Sequence, residues 1–159
     1  MRKVITDVDG VLTDGRFYYS AEGKELKKFG PHDSDGIKLL KKIGIEVVAI
    51  SADKRGFAIT EKRMNDMGVK VYNVSEADRL SWYLENSIED ETIFIGDGLF
   101  DIDTLKKCKH SFSPNNAPSV VKKHAKYVTA ANGSQGVLLE VALWVLKKEN
   151  EELYKKIVG

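Results

Sequence analysis

The stretch KVITDVDGVLTDG, residues 3–15, places three aspartates directly after an apolar run. Two carboxylates about 4 Å apart repel by roughly 4 kcal/mol at an effective dielectric of ~20, so such a cluster is costly unless a cation neutralises it. Asp7, Asp9 and Asp14 are therefore candidates for a cation site. The alternative is that Asp9-Gly10 and Asp14-Gly15 are turn formers, because both residue types favour turn geometry.

Length and charge limit the possible classes of function. The chain has 159 residues, with 25 basic and 24 acidic side chains and a net charge of +1. This length predicts one domain over residues 1–159. The dispersed basic residues argue against a nucleic-acid-binding surface, and the apolar run before Asp7 is too short for a signal peptide or a membrane span. We expect a cytoplasmic protein with no nucleic-acid or membrane partner.

Apolar runs rich in β-branched residues alternate with segments of helical period, which is typical of a parallel sheet covered by helices. The predicted strands are Lys3 to Val8, Glu46 to Ser51, Val69 to Val74, Thr92 to Gly96, Lys109 to Ser113 and, at an edge, Tyr127-Val128. The predicted helices are Ser34 to Ile43, Gly56 to Met67, Glu76 to Glu85, Phe100 to Lys107, Pro118 to Lys123 and Ser134 to Lys148. The fold class is α/β, with a doubly wound, mainly parallel sheet.

One segment departs from this alternation. RFYYSAEGKELKKF, residues 16–29, has an aromatic half, a turn signal at Glu22-Gly23 and a second half with partial alternation. We interpret it as a β-hairpin inserted between the first strand and the first helix. His32 then precedes that helix and could contact substrate at the sheet edge. The simpler interpretation is a residue of the helix-entry loop, with Asp33 or Ser34 as the N-cap.

Polar side chains follow four of the predicted strands. Asp7 ends the first strand, Ser51 the second and Asp97 follows the fourth, while the third opens into a segment that contains Arg79. In a doubly wound sheet, ligands bind beyond the carboxyl ends of the strands. Turn propensity could explain one aspartate pair, but it does not explain why polar side chains follow four strands at the same edge of the sheet. A ligand site does.

These residues together would support phosphoryl transfer. Asp7 could attack phosphorus, and Asp9, on the same side of an extended backbone, could act as general acid and base. Asp97 would form with Asp7 an all-oxygen pocket suited to Mg²⁺. The Ser51 hydroxyl and the following backbone N–H would hold a phosphoryl oxygen at a helix N-terminus, and Arg79 would add a positive charge.

The motifs resemble those of the haloacid dehalogenase superfamily. DVDGVLTDG, residues 7–15, is similar to its first motif, DxDGVxTDG, which implies that Asp7 is the nucleophile and Asp9 the acid/base. Ser51 matches the second motif and, with Ala52, is expected to bind substrate. Arg79 matches the third, with Lys70 as the alternative.

IGDGLFD, residues 95–101, is similar to the fourth motif, GDxxxD. This similarity implies Mg²⁺ held by Asp7, Asp9 and Asp97, with Gly98 and Asp101 in support.

The absence of a cap domain and the hairpin after the first motif resemble the group of 3-deoxy-manno-octulosonate 8-phosphate and 2-keto-3-deoxynononate 9-phosphate phosphatases. Residues 29–51 and 126–146 are similar to further segments of that group. The resemblance implies a phosphorylated keto-deoxy sugar acid as substrate and a homotetramer assembled through the hairpin of residues 16–29, in which a neighbouring subunit covers the active site. The charged C-terminal residues 147–159 are expected to form a solvated helix or, alternatively, such a cover.

Three departures from the group leave another small phosphorylated metabolite open as the substrate. SADKR, residues 51–55, replaces the usual TGR, although Lys54 and Arg55 could supply a related positive charge and bind substrate. Gly98 follows Asp97 where relatives commonly have a second aspartate. Leu139 stands where the group has an arginine that helps to bind the substrate carboxylate.

Two other classes of protein fit the sequence less well. A phospho-receiver domain would need its phosphoacceptor aspartate at the end of the third strand, where this chain has Asn73-Val74. A non-catalytic oligomeric scaffold would not need Asp9.

Overall fold

The computed structural model describes residues 1–159, and its main element is a six-stranded parallel sheet. The strand order is β5-β4-β1-β6-β7-β8. These strands are β1 (Lys3–Asp7), β4 (Glu46–Ser51), β5 (Lys70–Asn73), β6 (Thr92–Ile95), β7 (His110–Ser113) and β8 (Tyr127–Val128), while β2 (Thr13–Ser20) and β3 (Gly23–Phe29) form a separate two-stranded sheet. The predicted α/β class with an inserted hairpin is confirmed, and no cap domain is present.

Seven α-helices connect and cover the strands. They are α1 (His32–Lys42), α2 (Phe57–Asp66), α3 (Arg79–Asn86), α4 (Ile102–Lys107), α5 (Ser119–Lys122), α6 (Val137–Glu149) and α7 (Glu151–Val158), and a 3₁₀ turn (Leu99–Asp101) precedes α4. None of them combines the length and hydropathy that crossing a membrane requires. Helix α7 has no buried residue in the single chain, which fits either of the two roles expected of the C-terminal segment.

Two hydrophobic cores lie on opposite faces of the sheet, as the alternation of side chains along a strand requires. Val4 of β1 packs in one core with residues of α1, α2 and α6. Ile5 packs in the other with residues of α3, α4 and α5. The doubly wound arrangement buries both faces and leaves the carboxyl ends of the central strands as the open edge.

The end of β1 differs from the sequence prediction. The strand stops at Asp7, and the carbonyl of Val8 accepts hydrogen bonds from the N–H groups of Val11, Leu12 and Thr13. Asp9 therefore lies in a turn and not on extended backbone. This turn sets the position of Asp9 relative to Asp7. The alternation of side chains along a strand, on which the prediction relied, does not apply within a turn.

The hairpin contains an irregularity that affects which side chains reach the sheet edge. Tyr18 pairs with Leu26 but Tyr19 pairs with Lys24, so the register shifts within the ribbon. A β-bulge of this kind leaves one residue unpaired and re-aims its neighbours. Lys24 and Lys27, three positions apart, consequently contact the same carboxylate, that of Asp53.

Helices α1 and α6 meet at their first turns. A Cβ at Gly36 would lie 2.3 Å from backbone atoms of Leu138 and Leu139, so only glycine allows this approach. The buried carboxylate of Asp33 accepts hydrogen bonds from the N–H groups of Gly136 and Leu138. The expectation that Asp33 caps its own helix is therefore wrong: it satisfies free N–H groups at the start of α6.

Candidate active site

A cleft of about 320 Å³ opens at the carboxyl ends of β1, β4 and β6, beside the hairpin. It is lined by Asp7, Asp9, Gly15, Phe17, Lys24, Ser51, Ala52, Asp53, Glu76, Arg79, Asp97, Gly98, Phe100 and Asp101. The predicted clustering of polar strand ends is therefore found, since Asp7, Asp9, Ser51, Arg79 and Asp97 all face this one cleft.

Three carboxylates converge at the base of the cleft. One oxygen each of Asp7, Asp97 and Asp101 lies within 4.8 Å of the other two. Asp101 is fully buried, and its Oδ2 accepts a hydrogen bond of 2.8 Å from the N–H of Gly98. A backbone N–H group therefore fixes the carboxylate of Asp101 within the cluster.

Arg79 is the cation that contacts this cluster. Its Nη1 lies 2.6 Å from Oδ1 of Asp101 and 3.2 Å from Oδ1 of Asp7. Burial opposes the charge of the guanidinium, but these two carboxylates raise the pKa of Arg79 above its usual value. Its buried Nε has no hydrogen-bond partner.

One guanidinium does not neutralise the cluster. Burial raises the pKa of Asp7 well above its usual value against the effect of Arg79, and the neighbouring carboxylates raise it further. Burial and the charge of Asp101 raise the pKa of Asp97 to about 7. Like-charged groups that share a buried site behave in this way.

Gly10 allows the first loop to pass over the cluster. Its φ is +91°, and a Cβ there would lie 1.9 Å from an oxygen of Asp97. The side-chain amide of Asn116 donates a hydrogen bond to the Gly10 carbonyl and accepts one from the N–H of Gly133. The loop that carries Asp9 is therefore also held by Asn116, which lies in the loop after β7.

The side chain of Asp9 lies outside the acidic cluster and pairs with Lys27. The Lys27 ammonium lies 2.9 Å from Oδ2 of Asp9 and 2.8 Å from Oδ2 of Asp53. Lys24 also contacts Oδ2 of Asp53, at 2.5 Å, and lies over the ring of Phe17. Although burial opposes ionisation, hydrogen bonds from the two lysines lower the pKa of Asp53 to about 2.

The residues after β4 are divided between the cleft and the solvent. Ser51 and Ala52 line the cleft, but α2 begins only at Phe57, so Ser51 does not lie at a helix N-terminus. Lys54 and Arg55 are exposed and do not line the cleft. Their expected contact with substrate stays a prediction, and the positive charge beside Asp53 comes instead from the hairpin.

The turn-forming role of Asp14 is visible in the structure. Its Oδ1 accepts a hydrogen bond of 2.9 Å from the N–H of Arg16, which is an Asx turn at the entry to β2. Thr13 assists, because its hydroxyl oxygen accepts hydrogen bonds from the N–H groups of Gly10 and Gly15. Of the three aspartates in residues 7–15, Asp14 is the one that shapes the loop.

Sequence reasoning missed the residues that the hairpin brings to the site. Phe17 and Lys24 line the cleft, and Lys27 lies behind it. In a regular strand, residues 24 and 27 would face opposite sides, so alternation gave no reason to pair them. The sequence offered one indication of this contact. Lys24 and Lys27 lie three positions apart in a predicted hairpin that follows an acidic loop.

Comparison with known proteins defines the class. Residues 79–141 match the family model described as haloacid dehalogenase-like hydrolase. A capless doubly wound sheet with an acidic cluster at its central strand ends agrees with this class.

The chain is 31% identical over 153 residues to the 3-deoxy-D-manno-octulosonate 8-phosphate phosphatase KdsC of Haemophilus influenzae, covering 93% of this chain and 84% of the relative. It therefore belongs to the KdsC family of haloacid dehalogenase-like hydrolases, and it is a phosphatase.

Solved structures extend this similarity to the whole fold. The cobalt-bound phosphatase of Haemophilus influenzae superimposes with a TM-score of 0.81 at 31% identity, over 92% of this chain and 88% of that one. The Moraxella catarrhalis enzyme in complex with magnesium, phosphate and KDO gives 0.85 at 25% identity, over 99% and 91%.

The residues present fit a divalent cation. Three carboxylate oxygens that converge within 4.8 Å form the hard, all-oxygen donor set that Mg²⁺ prefers. Burial raises the pKa of Asp7 and of Asp97, and neighbouring carboxylates raise both further. Asp101 belongs to this group, whereas the carboxylate of Asp9 does not. The prediction that Asp7, Asp9 and Asp97 hold the metal stays a prediction, and only Asp7 and Asp97 of this set contribute carboxylates to the cluster.

The acidic cluster predicts a stability that depends jointly on pH and Mg²⁺. Because the folded state holds protons on Asp7 and Asp97 that the unfolded chain releases near its ordinary pKa, metal-free protein should lose stability as pH rises from about 4 to about 7. Mg²⁺ about 100-fold above its Kd should restore about 3 kcal/mol, or about 5 to 10 °C in Tm, at about pH 8 and less at about pH 5. Thermal unfolding with and without chelator measures this.

The variant Asp97→Asn is the control for that experiment. It removes one cluster carboxylate, so both the pH slope and the Mg²⁺ shift should become smaller. A Mg²⁺ shift of equal size at both pH values would contradict the assignment of the cation to these carboxylates.

Proposed function

We propose that residues 1–159 act as one hydrolase domain that cleaves a phosphomonoester through an aspartyl-phosphate on Asp7. The observation that carries this proposal is the position of Asp7, whose carboxylate lies in the acidic cluster and also contacts Arg79 at the base of an open cleft. A bound Mg²⁺ would supply charge neutralisation for the phosphoryl group.

The reaction has two halves. An oxygen of Asp7 bonds to phosphorus as the bond to the leaving alcohol breaks, and Asp9 donates a proton to the leaving oxygen. Water then attacks the same phosphorus, the Asp7–phosphorus bond breaks, and Asp9 accepts the proton of the water. The products are the alcohol and inorganic phosphate, and both aspartates return to their starting states.

The remaining cleft residues hold the phosphoryl group in this scheme. Ser51 and the backbone at Ala52 donate hydrogen bonds to a phosphoryl oxygen, and Arg79 contributes its charge. Gly98 and Asp101 support the base of the site through their mutual hydrogen bond. Such preorganised donors are the usual means of stabilising a phosphoryl transition state.

The variant Asp7→Asn tests the mechanism. It is nearly isosteric but cannot form the aspartyl-phosphate, so phosphate release measured with malachite green in the presence of Mg²⁺ should fall by at least about 10³-fold. Asp14→Asn is the matched control, because Asp14 shapes the adjacent turn and should keep activity within a few-fold. Near wild-type turnover by Asp7→Asn would rule out the covalent mechanism.

We infer that the substrate is a phosphorylated keto-deoxy sugar acid. Support comes from the relatives, which include phosphatases named for 3-deoxy-D-manno-octulosonate 8-phosphate and a structure in complex with KDO. The family resemblance implies an arginine at position 139, where this chain has leucine. Leu139 does not line the cleft. Another small phosphorylated metabolite is the alternative.

Lys24 is the best placed cation for the carboxylate of such a substrate. It lines the cleft on the hairpin side, away from the acidic cluster, with its side chain 11% exposed. Its partner Asp53 keeps a second ammonium, that of Lys27, if Lys24 turns toward the ligand. The aromatic rings of Phe17 and Phe100 form apolar surface at the same mouth.

Replacement of Lys24 by methionine tests the substrate class. Loss of one charge-assisted hydrogen bond should raise KM for 3-deoxy-D-manno-octulosonate 8-phosphate by about 10-fold or more with little change in kcat. Steady-state kinetics with mannose 6-phosphate, which lacks a carboxylate, should show no such rise. Lys28→Met, on an exposed residue of β3, is the control. An equal rise in KM for both sugars would contradict the carboxylate contact.

We also propose that the hairpin assembles a homotetramer. Tyr18 and Leu26 pair across the ribbon and are 68% and 60% exposed. A two-stranded ribbon is marginal in water, and paired apolar side chains at its outer surface favour association.

Sedimentation velocity measures the assembly directly. The wild-type chain should sediment at about four times the monomer mass of 17.8 kDa, and the double variant Tyr18→Lys/Leu26→Lys should sediment as a smaller species. The control Leu84→Lys alters a leucine on α3 that is 49% exposed. A wild-type monomer, or a double variant that stays tetrameric, would refute the role of the hairpin.

A further inference from the structure

Lys27 in β3 has no role in the reaction scheme, yet its side chain is completely buried. An ammonium is strongly hydrated, so its burial is costly unless acceptors replace the lost water. The surroundings of its Nζ therefore need an explanation beyond the packing of the hairpin.

Three acceptors surround this ammonium. Its Nζ lies 2.9 Å from Oδ2 of Asp9, 2.8 Å from Oδ2 of Asp53 and 2.8 Å from the hydroxyl oxygen of Thr60. A lysine has three N–H donors, so this set satisfies all of them. The acceptors come from three separate elements: the loop after β1, the loop after β4 and helix α2.

The hairpin bulge makes this arrangement possible. Lys24 and Lys27 are both directed at Asp53, and Lys24 lines the cleft while the side chain of Lys27 is completely buried. Bulges next to active sites commonly re-aim a side chain. Here the re-aimed side chain meets the residue assigned to proton transfer.

The contact divides the two oxygens of Asp9 between different tasks. Oδ2 accepts the hydrogen bond from Lys27, and no other group of the chain hydrogen-bonds to this carboxylate. The side chain is one-third exposed and lines the cleft, so Oδ1 is the oxygen that remains available for a proton.

We propose that Lys27 is a positioning residue that holds Oδ2 of Asp9 and directs Oδ1 to the leaving group, a role that rests on the proposed function of Asp9. The proton passes from Oδ1 to the leaving oxygen as the bond between phosphorus and that oxygen breaks, and the electron pair of the bond stays on the leaving oxygen. In the second half, a proton of the attacking water returns to Oδ1. Lys27 itself neither gains nor loses a proton.

The dependence of the rate on the leaving group tests this role. p-Nitrophenolate leaves without being protonated, whereas phenolate is a poorer leaving group that gains more from a general acid. Lys27→Met should therefore lower kcat/KM for phenyl phosphate by about 100-fold and for p-nitrophenyl phosphate by less than about 10-fold. Lys28→Met, at an exposed site in the same strand, should change neither value more than about twofold.

The double variant Asp9→Asn/Lys27→Met separates positioning from direct catalysis. If Lys27 acts through Asp9, the double variant should be no slower than Asp9→Asn alone, because the two changes remove one and the same function. Losses that multiply in the double variant would overturn the proposal. Equal losses of Lys27→Met on the two aryl phosphates would also overturn it, while leaving the role of Asp7 intact.

If Lys27→Met does not fold, the variant Lys27→Arg allows the same comparison of phenyl phosphate with p-nitrophenyl phosphate. It retains the charge, but a planar guanidinium cannot direct three donors at the same three acceptors. Its loss on phenyl phosphate should exceed its loss on p-nitrophenyl phosphate. Circular dichroism confirms the fold of each variant, and equal losses for a folded Lys27→Arg would refute the positioning role.

Discussion

The contact of Arg79 with Asp7 and Asp101 is the interaction on which the site depends. When all three carboxylates of the cluster are ionised, the one guanidinium leaves two negative charges, which one divalent cation would balance. Replacing either partner of such a buried pair leaves an uncompensated charge, which is far more costly than a lost surface ion pair. The carboxyl ends of β1 and β6 therefore fold around a charge excess that is suited to binding and poorly suited to an inert scaffold.

The two sheets divide the chemistry between them. The six-stranded sheet supplies the acidic cluster and Ser51, all at the ends of hydrogen-bonded strands or in loops tied to them. The two-stranded hairpin supplies Phe17 and Lys24 to the wall and Lys27 beneath it. The carboxylates of Asp7, Asp97 and Asp101 thus converge at the base of the cleft, while two lysines that share the carboxylate of Asp53 come from its hairpin side.

The sequence predicts those parts of the site that depend on strand ends. Asp7, Ser51 and Asp97 follow apolar runs, and the topology of a parallel sheet brings such ends together regardless of loop detail. The contacts of Asp9 and Lys27 could not be predicted in this way, because they depend on a turn and a bulge that periodicity does not describe. Asp33 was misplaced for a related reason: its partners on α6 lie more than 100 residues away.

The hairpin shares no backbone pairing with the larger sheet. Substitutions in β2 and β3 can therefore remodel the wall of the cleft without disturbing the hydrogen bonds that hold Asp7 and Asp97. Because of this separation, related proteins can change substrate through the hairpin and keep the same phosphatase reaction at the strand ends. Hairpin length is the feature that such divergence must conserve, since gain or loss of one residue at the bulge would return Lys24 and Lys27 to opposite faces.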